Sequence, residues 1–504
     1  MRQLTPAGKT PSAFWIAFGI ILAVTIVRCA VLVLSPLNLY PDEAQYWWWA
    51  QTPDFGYFSK PPMIAWIIWI STTLLGNSEW AIRIASPLFH AATSLLVFGI
   101  ARRAVDARVS LLSAVAYLTV PGISYSSGLI STDVPLLFFW AAALYAFLRA
   151  CEDRRWRWPV LCGVAAGLGL ESKYAMLYFL AGAGLAAAFA PDARRLVAGW
   201  RGLVILAIAL LLLVPNIVWN AQHGFPTVAH TEANADWARS RYSLASAAGF
   251  LIGQLGVFGP ILMMGLVAAF WRLATATARA APELILAAFC LPPLFLILIQ
   301  SFVAGANANW AAAAYIAATP LAVAELIRWW RGRVLWASFV VNGTVMLVLW
   351  IVLVWPAAAD AIAAGNAFKR EEGWRQLGAD VARAASAADY DFIAADNRSI
   401  VAELLYYARP CSVPVRAWAR DFNIRDHFEM TMRLERGARR VLVAVEPGAA
   451  GRVLATFDSA RAVKHLSIGV GGGHARTIDL YDARYYRGPR GTDRAQPASR
   501  PHVM

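Results

Sequence analysis

Long apolar runs separated by short polar connections dominate the first 356 residues of this chain. The first run, residues 14–36 (FWIAFGIILAVTIVRCAVLVLSP), is too long for the apolar segment of a signal peptide. No small-residue cleavage site follows it, so it reads as retained. Further runs lie near 80–100, 110–122, 134–150, 157–171, 174–190, 202–219, 245–270, 283–303, 310–327 and 334–356. At roughly 20 residues per crossing they predict about eleven membrane-spanning helices. The run at 62–76 (PMIAWIIWISTTLLG) is too short to cross and predicts an interfacial or re-entrant helix. From 357 onward the pattern changes. "YDFIAADNRSIVAELLYYA" reads as strand, turn and amphipathic helix, and "RRVLVAVEP" as a buried strand. The expected organisation is a helical membrane domain over 1–357, a small α/β domain over 358–485, and a disordered basic tail over 486–504. No internal repeat of the transporter kind is present.

Charge orients this map. The N-terminus and every second connection (102–108, 149–157, 194–201, 272–279, 328–333) carry 17 basic residues, and the alternate connections only four: Lys60, Lys173, Arg239 and Arg241. The positive-inside rule places the N-terminus in the cytoplasm, and the loop 37–79 and the C-terminal domain outside, in a bacterial inner membrane. The net charge of +14 then reflects orientation and contact with anionic lipid rather than nucleic acid. The five cysteines (Cys29, Cys151, Cys162, Cys290, Cys411) show neither a disulfide framework nor metal-ligand spacing.

The outer connections gather acids: Asp42, Glu43, Asp54, Glu79, Asp133, Glu171, Glu232 and Asp236. Charge at headgroup depth is costly without partners, which makes these groups functional candidates. Asp42 is also readable as the N-cap of a short helix, with Glu43 in its first turn. Trp47, Trp48 and Trp49 read as an aromatic belt at the membrane surface. Lys60 and Lys173 read either as snorkelling lysines or as ligands of an anionic phosphate, and Arg28, inside the first span, as bundle-paired or part of that phosphate site. Asp133 follows Ser131-Thr132 and precedes Pro135, where helix capping is the plain alternative. Tyr46, Tyr57, His230, Asn309 and Trp310 are candidate sugar or acceptor contacts.

The stretches "DEAQYWWWAQ…GYFSKPP" and "EWAIRIASPLFHA", with "ISTDVPLLFFW", "ESKYAMLYF", "GQLGVFGP", "ANWAAAAY" and "ADNRSIVAELLYYA", resemble the lipid-phosphosugar-dependent GT-C glycosyltransferases. These are the bacterial relatives of protein O-mannosyltransferases and of the aminoarabinose transferase that modifies lipid A. The resemblance implies a GT-C fold and, residue by residue, Asp42 as the catalytic acid of the first loop, Lys60 as the lysine on the lipid-linked phosphate and Asp133 as a second acid. The aminoarabinose transferases carry a metal-binding Glu just before this lysine, where this chain has Ser59. A divalent cation, the one cofactor implied, is therefore left open.

The chemistry that follows is transfer of a sugar from a polyprenyl phosphate donor to an envelope acceptor, with lipid A or the lipopolysaccharide core as first choice. Asp42 would act as general base, with inversion at the anomeric carbon. The rival class is a transporter or lipid flippase using the same outer charges for binding, and a third is a non-catalytic envelope assembly protein. The odd number of spans, the folded outer domain and the absence of repeats favour the enzyme.

Overall fold

A computed structural model describes residues 10–237, 242–277, 279–361, 365–409 and 411–489. Two compact units emerge: Met1–Pro36 with Ala50–Trp355, and Leu37–Trp49 with Pro356–Met504.

The first unit is helical because a chain this apolar, in lipid, must satisfy its backbone groups within each segment. Each of the eleven apolar runs is helical, but six helices are long and apolar enough to cross a bilayer: Ala13–Leu34, Glu79–Ala104, Asp133–Glu152, Trp200–Gln222, Ala281–Ala304 and Arg333–Val354. The run at 110–122 forms Ala107–Thr119, whose 13 residues rise about 20 Å against a hydrocarbon core of about 30 Å. Among the described residues, length and apolarity thus account for six of the eleven expected spans, or seven with the bent pair that follows. The run at 245–270 is two helices, Leu244–Phe258 and Pro260–Thr275, bent by 110°. Pro260 has no amide hydrogen to continue the first helix, and Gly259 turns the chain at φ +95°. A Cβ at Gly259 would lie 2.5 Å from Asn342 Oδ1. Gly259→Val is therefore expected to destabilise the unit by roughly 2–4 kcal/mol, read as a lowered unfolding midpoint in detergent. An unchanged midpoint would contradict this account of the bend.

Helix association in lipid relies on close packing rather than on a hydrophobic drive. An aromatic cluster shows how. Phe179 and Phe289 lie 4.5 Å apart, Phe147 and Phe289 5.1 Å, and Trp140 and Phe179 5.3 Å, tying Asp133–Glu152, Tyr178–Phe189 and Ala281–Ala304 together. Gly182 makes room for Phe289, whose ring carbon would stand 2.6 Å from an added Cβ. Elsewhere, Arg272 and Arg328 clasp the nearly buried Glu283 and Glu325, joining three helices. Met63–Leu75 follows Pro61-Pro62 with 13 residues, too few to cross, as its length in the sequence implied.

The second unit holds a five-stranded sheet: β1 (Phe392–Ala395), β2 (Val415–Ala417), β3 (Arg440–Val445), β4 (Phe457–Val470) and β5 (His474–Tyr486), in the order β2-β1-β3-β5-β4. β1 is parallel to β2 and β3, while β5 runs antiparallel to β3 and β4. The helix Arg398–Tyr407 makes the crossover from β1 to β2, which a parallel pair requires. Both elements expected in "YDFIAADNRSIVAELLYYA" are present, and β3 is the buried strand of "RRVLVAV". Leu37–Trp49 is bound into this unit through its backbone. Asn38 N donates to Glu371 O at 2.9 Å, and Leu39 N to Tyr407 Oη at 2.7 Å. Of the expected tail, Tyr486 closes β5 and Arg487 donates to Ala455 O and Phe457 O. Residues 490–504, like Arg239 and Arg241, lie outside the described residues.

Candidate active site

The helix Pro41–Ala50 opens the Asp-Glu pair. Tyr40 O accepts the first helical bond, from Ala44 N at 3.0 Å, which makes Tyr40 the capping position. Glu43, three residues on and buried, reaches back with Oε2 to accept from Tyr40 N at 2.8 Å, one arm of a capping box. The capping role expected of Asp42 thus falls to Glu43. Asp42 is released from it, and its Oδ1 pairs with Arg398 Nη1 at 2.8 Å, each side chain 35% exposed. The same Nη1 donates to Gln45 Oε1 at 2.5 Å. Burial works against the Arg398 guanidinium, but Asp42, with Tyr46 and Asp426, outweighs it and holds its pKa above the ordinary arginine value. Arg398 escaped the sequence reading. One signal was available, because an arginine in the first turn of a helix opposes the helix dipole and calls for an anion beside it.

The tryptophans correct a second expectation. Trp47 and Trp49 are buried, not lipid-facing. Trp47 meets Tyr406 edge-on at 4.9 Å under the Arg409 guanidinium, and Trp49 lies 5.4 Å from His427. They pack the Asp42 helix into its own unit. Tyr46, a candidate sugar contact, is buried 5.3 Å from Trp49.

In the helical unit, the loop before Lys60 is stapled from several sides. Trp219 Nε1 donates to Asp54 Oδ2 at 2.7 Å, Asn216 Nδ2 to Phe55 O at 2.8 Å, and Thr227 Oγ1 to Tyr57 O at 2.8 Å. Tyr57 Oη accepts from Asp54 N at 3.0 Å, and burial raises the phenol above its usual pKa, which suits a fixed hydrogen-bonding group. Lys60 O accepts from Tyr57 N at 3.2 Å, and the lysine is half-buried. His230 packs against Phe58 at 5.8 Å and shares a 2.9 Å hydrogen bond with Asn234.

A second cluster joins three predicted residues from distant segments. Asp133, in the first turn of its helix, holds Lys173 Nζ at 2.6 Å through Oδ1 and Asn309 Nδ2 at 2.9 Å through Oδ2. Its carboxylate is therefore used in tertiary contacts, not in capping, and Trp310 follows Asn309 directly. Arg28 stands elsewhere: buried, it donates from Nη2 to Leu118 O at 2.6 Å, while Nε and Nη1 have no hydrogen-bond partner among the described residues. For a divalent cation, no group of three or more His, Cys, Asp or Glu side chains comes together among the described residues, and Ser59 replaces the metal-binding Glu.

Residues 59–219 match the family profile of dolichyl-phosphate-mannose-protein mannosyltransferases. That span includes Lys60, Asp133 and Lys173 but not Asp42. The lipid A galacturonosyltransferase RgtD of Rhizobium johnstonii is 36% identical over 402 residues, 79% of this chain and 84% of the relative. The chain belongs to this family of lipid-phosphosugar-dependent GT-C glycosyltransferases. The glycosyltransferase is also 31% identical, over 40% of its length and 41% of the relative, to the lipopolysaccharide core galacturonosyltransferase RgtA of the same organism. ArnT from Cupriavidus metallidurans, solved bound to undecaprenyl phosphate, superposes with a TM-score of 0.65 over 94% of the glycosyltransferase and 99% of ArnT at 17% identity, which assigns the GT-C fold. Membership makes the protein an enzyme and sets the transporter and assembly readings aside.

Proposed function

We propose that this glycosyltransferase moves a hexuronic acid of the galacturonic type from a polyprenyl phosphate to a hydroxyl of lipid A, at the periplasmic face of the bacterial inner membrane. The observation that carries the chemistry is the Asp42 carboxylate, relieved of capping by Glu43 and aimed by Arg398. The likeness to a lipid A galacturonosyltransferase over 84% of its length supports the choice of sugar and acceptor. The 17-to-4 asymmetry of basic residues supports the orientation.

In this mechanism Asp42 takes the proton of the acceptor hydroxyl as its oxygen bonds to the anomeric carbon. The bond from that carbon to the phosphate oxygen breaks, and the electron pair leaves with polyprenyl phosphate. The leaving group needs no proton, only neutralisation of its growing charge, which Lys60 supplies. Direct displacement inverts the anomeric centre. Asp133, by fixing Lys173 and Asn309, organises polar groups near Trp310 for the sugar, and holding both partners in place removes much of the entropic barrier. Mass spectrometry of lipid A and core from a deletion strain tests the assignment. Loss of a hexuronic residue from lipid A is the expected result. Loss from the core alone would move the acceptor, and an unchanged envelope would contradict the proposal.

A further inference from the structure

Beside the Asp42 helix, wholly within the second unit, lies a cavity of about 370 Å³, a size that suits a small ligand group. Pro41 lines it next to Asp42, and Asn397 and Ser399 line it on either side of Arg398. Lys369, Arg370, His474 and Arg476 also face it, against one lining carboxylate, Glu446. Two of the cations are held in place. Arg476 lies 3.5 Å over the buried Trp374 ring and donates from Nη2 to Lys369 O at 2.8 Å, while its buried Nε has no hydrogen-bond partner among the described residues. Arg370 lies 4.6 Å over Tyr40, the residue that caps the Asp42 helix. Among the described residues none of Lys369, Arg370 and Arg476 is in an ion pair. Burial lowers the Arg476 pKa, with Glu403 and Glu446 offsetting it only in part, as for a guanidinium short of counter-charge. The larger cavity of this unit, about 680 Å³, mixes Asp360 and Glu372 with Arg375 and expresses no preference of sign.

We infer that this basic cavity binds a phosphate group of the acceptor glycolipid and so presents the neighbouring hydroxyl to Asp42. The inference rests on the reading of Asp42 as the base, because the acceptor oxygen must then lie at this helix and the rest of the acceptor beside it. Cations gathered around an empty volume favour an anion by charge-assisted hydrogen bonds. A neutral sugar would leave the cluster uncompensated.

The test compares wild type with Lys369→Gln/Arg370→Gln, both exposed, and with Arg476→Gln added, all as full chains in neutral detergent. With phosphorylated lipid A, the double variant is expected to raise the acceptor KM about tenfold or more, with kcat and donor KM within about twofold. With phosphatase-treated lipid A of otherwise equal structure, variant and wild type should agree. An equal loss with both acceptors, or a rise in donor KM from the donor's own carboxylate, would overturn the inference. So would recovery of the variant on adding anionic phospholipid, since the cluster would then serve the membrane surface. Titration with glucosamine 1-phosphate needs no transfer and separates the two claims. Binding by wild type that the double variant weakens about tenfold supports the cavity even if lipid A proves not to be the acceptor. Normal transfer to lipid A with no such binding and no KM change would overturn the cavity and leave the proposed function standing.

Discussion

Asp42→Asn is expected to slow transfer at least about a hundredfold while the protein still inserts, folds and binds donor. The substitution keeps the size of the side chain and removes its ability to take a proton. It should leave the helix Pro41–Ala50 in place, because the cap is Glu43 Oε2 on Tyr40 N, not Asp42. Arg398 loses its ionic partner, but at 35% exposure it remains reachable by water, so the stability cost is small. Glu43→Gln gives the contrast. The amide oxygen can still accept from Tyr40 N, so activity should fall much less than for Asp42→Asn. If Asp42 only supported the fold, the two variants would rank the other way, with the buried position more damaging. Steady-state rates with a hydroxyl acceptor, alongside circular dichroism of both variants, decide between these outcomes.

Lys60→Ala carries the second large effect. Its loop is fixed by Trp219, Asn216 and Thr227, and Pro61-Pro62 stiffens the chain directly after it, so the ammonium is presented from a rigid frame. Losing one charge-assisted contact to the donor phosphate costs about 1.5–3 kcal/mol, roughly ten- to a hundredfold in kcat/KM for the lipid donor. Lys173 is a poor substitute, since its charge is already matched by Asp133 at 2.6 Å. Lys60→Arg should recover part of the loss. Wild-type kinetics in Lys60→Ala would mean that the lysine merely snorkels.

The helical runs were legible because apolar character is a local property and lipid leaves helices as the only open-chain solution. Their number was harder to read. Local composition does not show that Gly259, held against Asn342, folds one run into two helices, or that Ala107–Thr119 stops at 13 residues. Trp47 and Trp49 read as a belt because aromatic residues beside an apolar run usually are one. Their partners, Tyr406 and His427, stand more than 350 positions away in another composition class. Asp42, Lys60, Asp133 and Lys173 were legible as charges in short connections between apolar runs, where charge needs a reason. The joining of Asp133 to Lys173 and Asn309 is tertiary, as is the Arg398 that fixes Asp42, and neither follows from spacing along the chain.

The central claim meets its most direct test in one reconstitution. Purified wild-type chain, without partner protein or ion gradient, is mixed in single turnover with polyprenyl phosphate carrying radiolabelled galacturonic acid and with lipid A. The account predicts labelled lipid A of inverted anomeric configuration, formed at least about a hundredfold more slowly by Asp42→Asn. Retained configuration, or an Asp42→Asn rate within about threefold of wild type, would contradict it.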